Sequence, residues 1–218
     1  MFPIRDSIGY RGPAAVTRLL IIANVFVFLW QISGGTQGFQ IAVFNYGFIP
    51  ALFFAEPANE ALRLLTSMFM HGGISHILGN MWFLWVFGRS LEQRLGWFRY
   101  AALYLVAGAL ATLIQGLFTA NSIIPVIGAS GAVSAVLGAY FVLFRSEFIF
   151  SVAWFVLPLF FWVPVVIYLG YWALIQLLQA MAGTPGTAWW AHLGGFVLGV
   201  LAGRRYLRKR PNVSTTWL

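Results

Sequence analysis

Six long apolar stretches divide this chain and constrain its fold more than any other feature. They lie at about residues 17–33, 74–92, 97–118, 128–144, 162–181 and 187–203. A helix of about 20 mostly apolar residues crosses a hydrocarbon core roughly 30 Å thick. Since 61% of the 218 residues are hydrophobic and only 8% are charged, the sequence predicts an all-α, polytopic membrane protein with six transmembrane helices and excludes an ordinary soluble domain.

The basic residues alternate between the connections of these stretches. They lie before or at the start of the first stretch, around the junction of the second and third, and after the fourth and the sixth, whereas only Arg63 lies in another connection. Basic residues concentrate on the cytoplasmic side of membrane proteins. We therefore expect both termini in the cytoplasm and the plasma (inner) membrane as the location if the source is prokaryotic. The basic tail after Gly203 is expected to contact anionic lipid rather than nucleic acid.

This topology divides the chain into three parts. Residues 1–16 form a short cytoplasmic segment, which no cleavage site follows and which we expect to be retained. Residues 17–203 form the membrane domain, and residues 204–218 form a basic tail. The apolar run 148–161 can be interpreted as a seventh crossing, but it is short and contains Pro158, so we expect an interfacial stretch on the cytoplasmic side.

A few polar side chains fall within the predicted spans, where they are costly and therefore informative. At about 1.5 Å per residue from the outer end, His76 lies roughly 3 Å deep, Asn80 roughly 9 Å and His192 roughly 8 Å. Ser130 opens the fourth span, and the apolar residues 123–127 before it are expected to dip into the protein. We expect these four side chains to meet in one layer of the outer half of the bilayer.

These groups suit acyl transfer. A serine hydroxyl becomes a nucleophile when a neighbouring base takes its proton, so Ser130 and His192 are predicted as the catalytic pair. The side chains of His76 and Asn80, together with the Ser130 backbone N–H, are predicted to stabilise the oxyanion. None of the five acidic residues lies at the depth of His192, so we expect a dyad in which packing orients the imidazole.

Glycines accompany both members of the pair. Gly128 and Gly131 flank Ser130, while Gly195 and Gly199 follow His192 in a small-xxx-small pattern. Such patterns allow helices to approach closely in membranes. We expect the sixth helix to pack against the fourth through these glycines.

Three motifs resemble the rhomboid intramembrane serine proteases. His71 to Asn80 fits the family's HxxxxHxxxN, Gly128-Ala129-Ser130-Gly131 fits GxSG, and Ala191 to Gly199 fits AHxxGxxxG, in the family's order. The resemblance implies a six-helix core, a Ser130–His192 dyad, an oxyanion site with His76 and Asn80, and a water-filled cavity that opens outward. It also implies that substrates are transmembrane segments, which enter between helices two and five.

Two positions depart from the family pattern. Leu62 stands before Arg63 where the family often has tryptophan. Ser134 stands where an aromatic residue often stacks on the catalytic histidine, so Trp189 or Trp190 is expected to support His192 instead.

Other interpretations remain open at this point. Taken singly, Ser130 is more often a helix cap, Asn80 an interhelical contact and His71 a structural residue that bonds loop backbone. A non-catalytic rhomboid-like protein that binds or remodels transmembrane helices is the chief alternative, and a small transporter ranks third because no paired broken helices are present. The chain has no cysteine, and we expect no metal and no cofactor; the sequence does not indicate an oligomeric state.

Overall fold

The computed structural model describes residues 1–9, 12–154 and 157–209, and within them the chain is mainly helical. In chain order the helices are α1 (Ala15–Ser33), α2 (Gly35–Tyr46), α3 (Pro50–Ala55), α4 (Pro57–Glu60), α5 (Arg63–Thr66), α6 (Ile74–Leu95), α7 (Trp97–Ala102), α8 (Gly108–Phe118), α9 (Ser130–Leu143), α10 (Val165–Met181) and α11 (Trp189–Arg208). A 3-10 turn, Ser67–Phe69, precedes α6, and a π-helical segment, Leu103–Ala107, joins α7 to α8. Each of the six predicted stretches therefore overlaps a helical segment, although α10 begins at Val165, three residues after the predicted start of the fifth stretch at 162.

Two of these segments, Ala15–Ser33 and Trp97–Phe118, are long and apolar enough to cross a membrane by length and composition, and α9 and α10 are shorter apolar helices. The helix α9 lies at the centre, with every residue from Gly131 to Tyr140 buried. A helix that is apolar on all sides is buried in this way. Its 14 residues span only about 21 Å at 1.5 Å per residue.

A three-stranded antiparallel sheet corrects the all-α expectation. Its strands are β1 (Phe2–Asp6), β2 (Phe148–Trp154) and β3 (Pro158–Pro164), in the order β1-β2-β3. The described residues of the run 148–161 thus form two paired strands and not a helix, because Phe, Ile, Val and Trp favour strands. The prolines lie at the two ends of β3, where a missing N–H disturbs the ladder least.

The N-terminal strand β1 is fastened to the helices by a buried carboxylate. Asp6 accepts hydrogen bonds from Ser90 Oγ on α6 at 2.5 Å and from Tyr140 Oη on α9 at 3.0 Å. The indole N–H of Trp82 donates to the Pro3 carbonyl at 2.6 Å. The predicted short segment 1–16 therefore includes an ordered strand, although residues 10 and 11 lie outside the described residues.

The side chain of Glu92 caps α1. Its carboxylate accepts hydrogen bonds from the backbone N–H groups of Val16 and Thr17 at 2.9 and 2.8 Å, and from the Thr17 hydroxyl at 2.8 Å. Free N–H groups at a helix start favour a negative partner. This contact orients α1 against α6.

Close packing of α11 on α9 is the most extensive contact between helices, and glycines permit it. A methyl group added at Gly195 would overlap the Gly131 carbonyl, and one added at Gly199 would overlap the Ala135 carbonyl. The two helices therefore approach each other through glycine at these two positions. The helix α11 continues to Arg208, five residues beyond the predicted end of the membrane domain at 203, and residues 210–218 of the predicted tail lie outside the described residues.

We expect Gly199→Ala to lower the free energy of unfolding by about 1–3 kcal/mol, the usual cost of overpacking, because the methyl group meets the backbone of α9. Thermal unfolding of the purified protein in detergent measures this loss. Gly170→Ala on α10 is the matched control, since no atom lies within 4 Å of a methyl group at that position. Equal stability of the two variants would contradict the role of Gly199.

Candidate active site

The first residue of α9 is Ser130, which follows a tightly held loop. Gly128 donates its N–H to the Ser67 carbonyl at 2.9 Å and has a φ of 118°, a conformation that glycine adopts readily. Upstream, Phe48 and Val126 exchange two backbone hydrogen bonds of 3.0 and 2.7 Å. The short helix α9 and this loop together place Ser130 inside the bundle, at one end of the central helix.

The start of α11, which carries His192, is held by a buried glutamine of α8. Gln115 Oε1 accepts hydrogen bonds from the backbone N–H groups of Trp190 at 3.1 Å and Ala191 at 3.2 Å. Gln115 is only 8% exposed. Because the first N–H groups of a helix have no partner within it, this contact fixes the height of α11 next to α8.

Three side chains hold the imidazole ring of His192. Its Nδ1 lies 2.7 Å from Oε1 of Gln176 on α10. Trp172 stacks on the ring with centroids 6.2 Å apart and 28° between planes, and Trp189 meets it edge-on at 5.9 Å. The ring is therefore oriented by an amide hydrogen bond in addition to the packing that the sequence predicted.

Of the two tryptophans expected to support His192, only Trp189 does. Trp190 stacks on Phe118 with centroids 3.9 Å apart, because the next residue of a helix points to another side. Ser134 does not support the His192 ring. Its hydroxyl donates instead to the Ser130 carbonyl at 2.6 Å within α9.

The side chains of His76 and Asn80 lie one turn apart on α6 and face Gly128. A methyl group built at Gly128 would lie 2.7 Å from His76 Nε2 and 3.7 Å from Asn80 Nδ2. The Gly72 N–H donates to His76 Nδ1 at 3.2 Å, so the proton of a neutral His76 ring is on Nε2. The Nδ2 of Asn80 is buried without a hydrogen-bond partner among the described residues, which leaves a donor free.

One cavity of about 960 Å³ brings these groups together. Ser130, His192, His76 and Asn80 all line it, at the end of the bundle where α6, α9 and α11 begin. Gln115 and Gln176 line it as well. Among the described residues the Ser130 hydroxyl has no hydrogen-bond partner, so it is available to a molecule in the cavity. The glycines Gly131, Gly195 and Gly199 lie behind it, between α9 and α11.

The remaining histidine, His71, is structural, as expected. Its backbone N–H and carbonyl both bond the Gln31 side chain, at 3.1 and 2.9 Å, and its Nδ1 lies 3.3 Å from the Phe69 carbonyl. Burial lowers the pKa of His71 from 6.5 to about 4. Its ring is therefore neutral near pH 7 and packs edge-on against His76 at 5.1 Å.

Sequence reasoning missed Gln115, Gln176 and Trp172. The signal for the glutamines was present, since both are strongly polar side chains within predicted spans and the same rule that singled out His192 applies to them. Trp172 carried no such signal, because the chain has 10 tryptophans and many are expected near membrane interfaces.

A family model described as a Rhomboid domain matches residues 58–209. The chain belongs to the rhomboid family. Its curated relatives include RHOMBOID-like protein 6, mitochondrial, of Arabidopsis thaliana, which is 41% identical over 81 residues, covering 37% of this chain and 26% of that protein. The matched region of the family model contains every site residue named above, and the family supports the membrane-protein character of the chain.

Two further relatives cover more of the rhomboid chain. RHOMBOID-like protein 4 of Arabidopsis thaliana is 32% identical over 146 residues, or 66% of this chain and 34% of the relative. Presenilin-associated rhomboid-like protein, mitochondrial, of Homo sapiens is 34% identical over 133 residues, which cover 59% of this chain and 32% of the relative. The chain thus spans about a quarter to a third of the length of these relatives.

The loop before α6 is anchored although Leu62 replaces the tryptophan often found in rhomboids. Leu62 is 68% exposed. Arg63 pairs with Glu60 at 2.9 Å and donates to the Phe44 carbonyl of α2 at 2.9 Å. The arginine therefore joins the loop to α2 without an aromatic partner.

We expect Gly128→Ala to lower the free energy of unfolding by about 1–3 kcal/mol, the range for backbone strain of this kind, because alanine disfavours the φ of this position and its methyl group meets the His76 ring. Thermal unfolding measures the loss. Gly79→Ala is the control, since it lies next to Asn80 on α6 with no atom within 4 Å of the added methyl group. A stability of Gly128→Ala equal to that of the control would show that His76 does not need this glycine.

Proposed function

We propose that this rhomboid is an intramembrane serine endopeptidase that cleaves transmembrane segments of other membrane proteins. The observation that carries the proposal is the shared cavity, into which four polar groups from three helices converge. Ser130 is the nucleophile and His192 the general base, while His76, Asn80 and the Ser130 backbone N–H stabilise the oxyanion. A structural role such as a helix cap or an interhelical contact accounts for one of these residues at a time, whereas proteolysis accounts for all four.

In the first half of the reaction, Ser130 Oγ attacks the carbonyl carbon of the peptide bond and its proton passes to Nε2 of His192. The carbonyl oxygen becomes an oxyanion, to which Nε2–H of His76 and the unpartnered Nδ2–H of Asn80 donate hydrogen bonds. Donors fixed before the reaction lower the barrier without reorganising. The imidazolium then protonates the leaving amine, and the C–N bond breaks to give an acyl enzyme.

In the second half, water replaces the amine. His192 takes a proton from the water, whose oxygen attacks the ester carbon of the acyl enzyme, and the oxyanion again lies between His76 and Asn80. Collapse of the intermediate returns the proton to Ser130 and releases the new carboxyl group. Water reaches the site through the cavity, which Ser122 and loop residues 124–127 and 185–188 help to line.

The proposed setting is a bilayer crossed by six helical segments, with both termini on the cytoplasmic side and the cavity open to the opposite side. The brevity of α9 supports this placement, because a helix of about 21 Å is shorter than a hydrocarbon core of roughly 30 Å and can begin below the surface. Residues 17–203 then form the membrane domain. The plasma membrane is proposed for a prokaryotic source, although two of the relatives described above carry mitochondrial names.

The alternative is a non-catalytic rhomboid that binds or remodels transmembrane helices. The names of the relatives are compatible with it, because they describe these proteins as rhomboid-like and state no activity. The retained serine and histidine favour the protease, because a helix-binding protein needs neither a free hydroxyl nor a free amide donor in a polar cavity.

We expect the purified protein in liposomes to cleave a single-span model substrate, and Ser130→Ala and His192→Ala to abolish cleavage because each removes a reacting group. Gel analysis and mass spectrometry of the products measure this. Ser33→Ala, which alters an exposed serine at the end of α1, is the matched control. A fluorophosphonate probe should label Ser130 in the same preparation.

Undiminished cleavage by both active-site variants would refute the assignment. If the wild-type protein binds the substrate without cleaving it and the probe does not label Ser130, the non-catalytic alternative is correct.

We further expect Asn80→Ala to lower kcat by about 10²–10³, the usual effect of removing one oxyanion donor, with little change in KM. Steady-state kinetics on the same substrate separate the two constants. A variant that raises KM and leaves kcat unchanged would mean that Asn80 binds substrate and does not stabilise the oxyanion.

A further inference from the structure

A buried amide is the partner of the His192 ring on the side away from its catalytic nitrogen. Gln176 Oε1 lies 2.7 Å from Nδ1, and the Gln176 side chain is 7% exposed. Trp172, one turn earlier on α10, stacks on the same ring. Two contacts from one helix thus define both the plane of the imidazole and its rotation within that plane.

The chemistry of the amide determines which ring nitrogen carries the proton. An amide oxygen only accepts hydrogen bonds, and a neutral imidazole has one N–H and one lone pair. With Oε1 facing it, Nδ1 must donate, so the lone pair is on Nε2. This is the form of the ring that a general base needs.

None of the five carboxylates orients the His192 ring. All five acidic side chains are engaged elsewhere: Asp6 with Ser90 and Tyr140, Glu56 with Asn59, Glu60 with Arg63, Glu92 with the start of α1, and Glu147 with Ser7. An ionised side chain beside His192 would also be costly at this depth. A neutral amide orients the ring without that cost.

We propose that Gln176 is a positioning residue, which holds the proton of His192 on Nδ1 and thereby keeps Nε2 ready to accept the proton of Ser130. The inference rests on the proposed function, in which His192 is the base. It goes beyond that function by adding a third member, a neutral amide, to the pair of Ser130 and His192.

The tautomer of His192 is the first test, and it does not require activity. In protein labelled with ring-15N histidine, the His192 signals are assigned by their loss in His192→Ala. We expect a protonated Nδ1 and an unprotonated Nε2 in the wild type, and a loss of this preference in Gln176→Met. A proton on Nε2 in the wild-type protein would overturn the proposal, because the amide would then present its NH₂ group to the ring.

Kinetics are the second test. Gln176→Met has a similar length but no oxygen acceptor, and we expect its kcat to fall about 10- to 100-fold, less than the roughly 10²–10⁴ supplied by general acid–base catalysis as a whole. KM should stay within about twofold, and labelling of Ser130 by the fluorophosphonate should slow in parallel. Gln176→Glu keeps an oxygen acceptor in either protonation state and should recover most of the rate.

The matched control is Gln179→Met on the same helix. Its amide accepts a hydrogen bond from Thr184 Oγ1 at 2.5 Å and lines no part of the cavity, so we expect wild-type kinetics. Unchanged kcat in Gln176→Met, or a loss confined to KM, would overturn the positioning role. If Gln176→Met unfolds, Gln176→Glu with the expected tautomer still supports the role, and Gln176→Glu with the proton on Nε2 contradicts it.

The two proposals fail in different ways. A wild-type protein that cleaves nothing and resists the probe, yet shows a protonated Nδ1, refutes the protease and leaves Gln176 as a structural partner of the ring. A wild-type protein that cleaves its substrate while Gln176→Met does so equally well refutes only the role of Gln176.

Discussion

The backbone contact between α9 and α11 is the constraint on which the rest of the structure depends. Lipid tails are as apolar as leucine side chains, so the hydrophobic effect does little to bring helices together in a membrane, and close packing has to do so. Gly195 and Gly199 let the carbonyls of Gly131 and Ala135 lie against α11. Ser130 and His192, near the starts of these two helices, line one cavity.

The polar groups at and near the cavity include two kinds. The first kind is satisfied within the protein: Gln115 bonds the start of α11, Gln176 bonds the His192 ring, and Glu92 bonds the start of α1. These bonds define the height and rotation of each helix, because a buried polar group without a partner is costly. They form the scaffold of the site.

The second kind lines the cavity and has no partner among the described residues. The buried Asn80 amide nitrogen belongs to it, as does the partly buried Ser130 hydroxyl, and His76 Nε2–H joins them because Gly72 donates to the other ring nitrogen. Stability alone would favour satisfying such groups. Their convergence on one cavity is the observation on which the proposed oxyanion site rests.

The sequence by itself determined the six helical segments, the start of α9 at Ser130 and four of the polar residues that line the cavity, because apolar length and rare polar groups in spans are local signals. It did not determine the sheet, since an apolar aromatic run suits a hairpin and an interfacial stretch equally well until a partner strand is known. The partners of His192 were also decided by tertiary structure: Trp172 and Gln176 precede it by 20 and 16 residues on another helix, and only the rotation of α10 against α11 brings them to the ring. Helix rotation depends on packing over the whole interface, which no local pattern specifies.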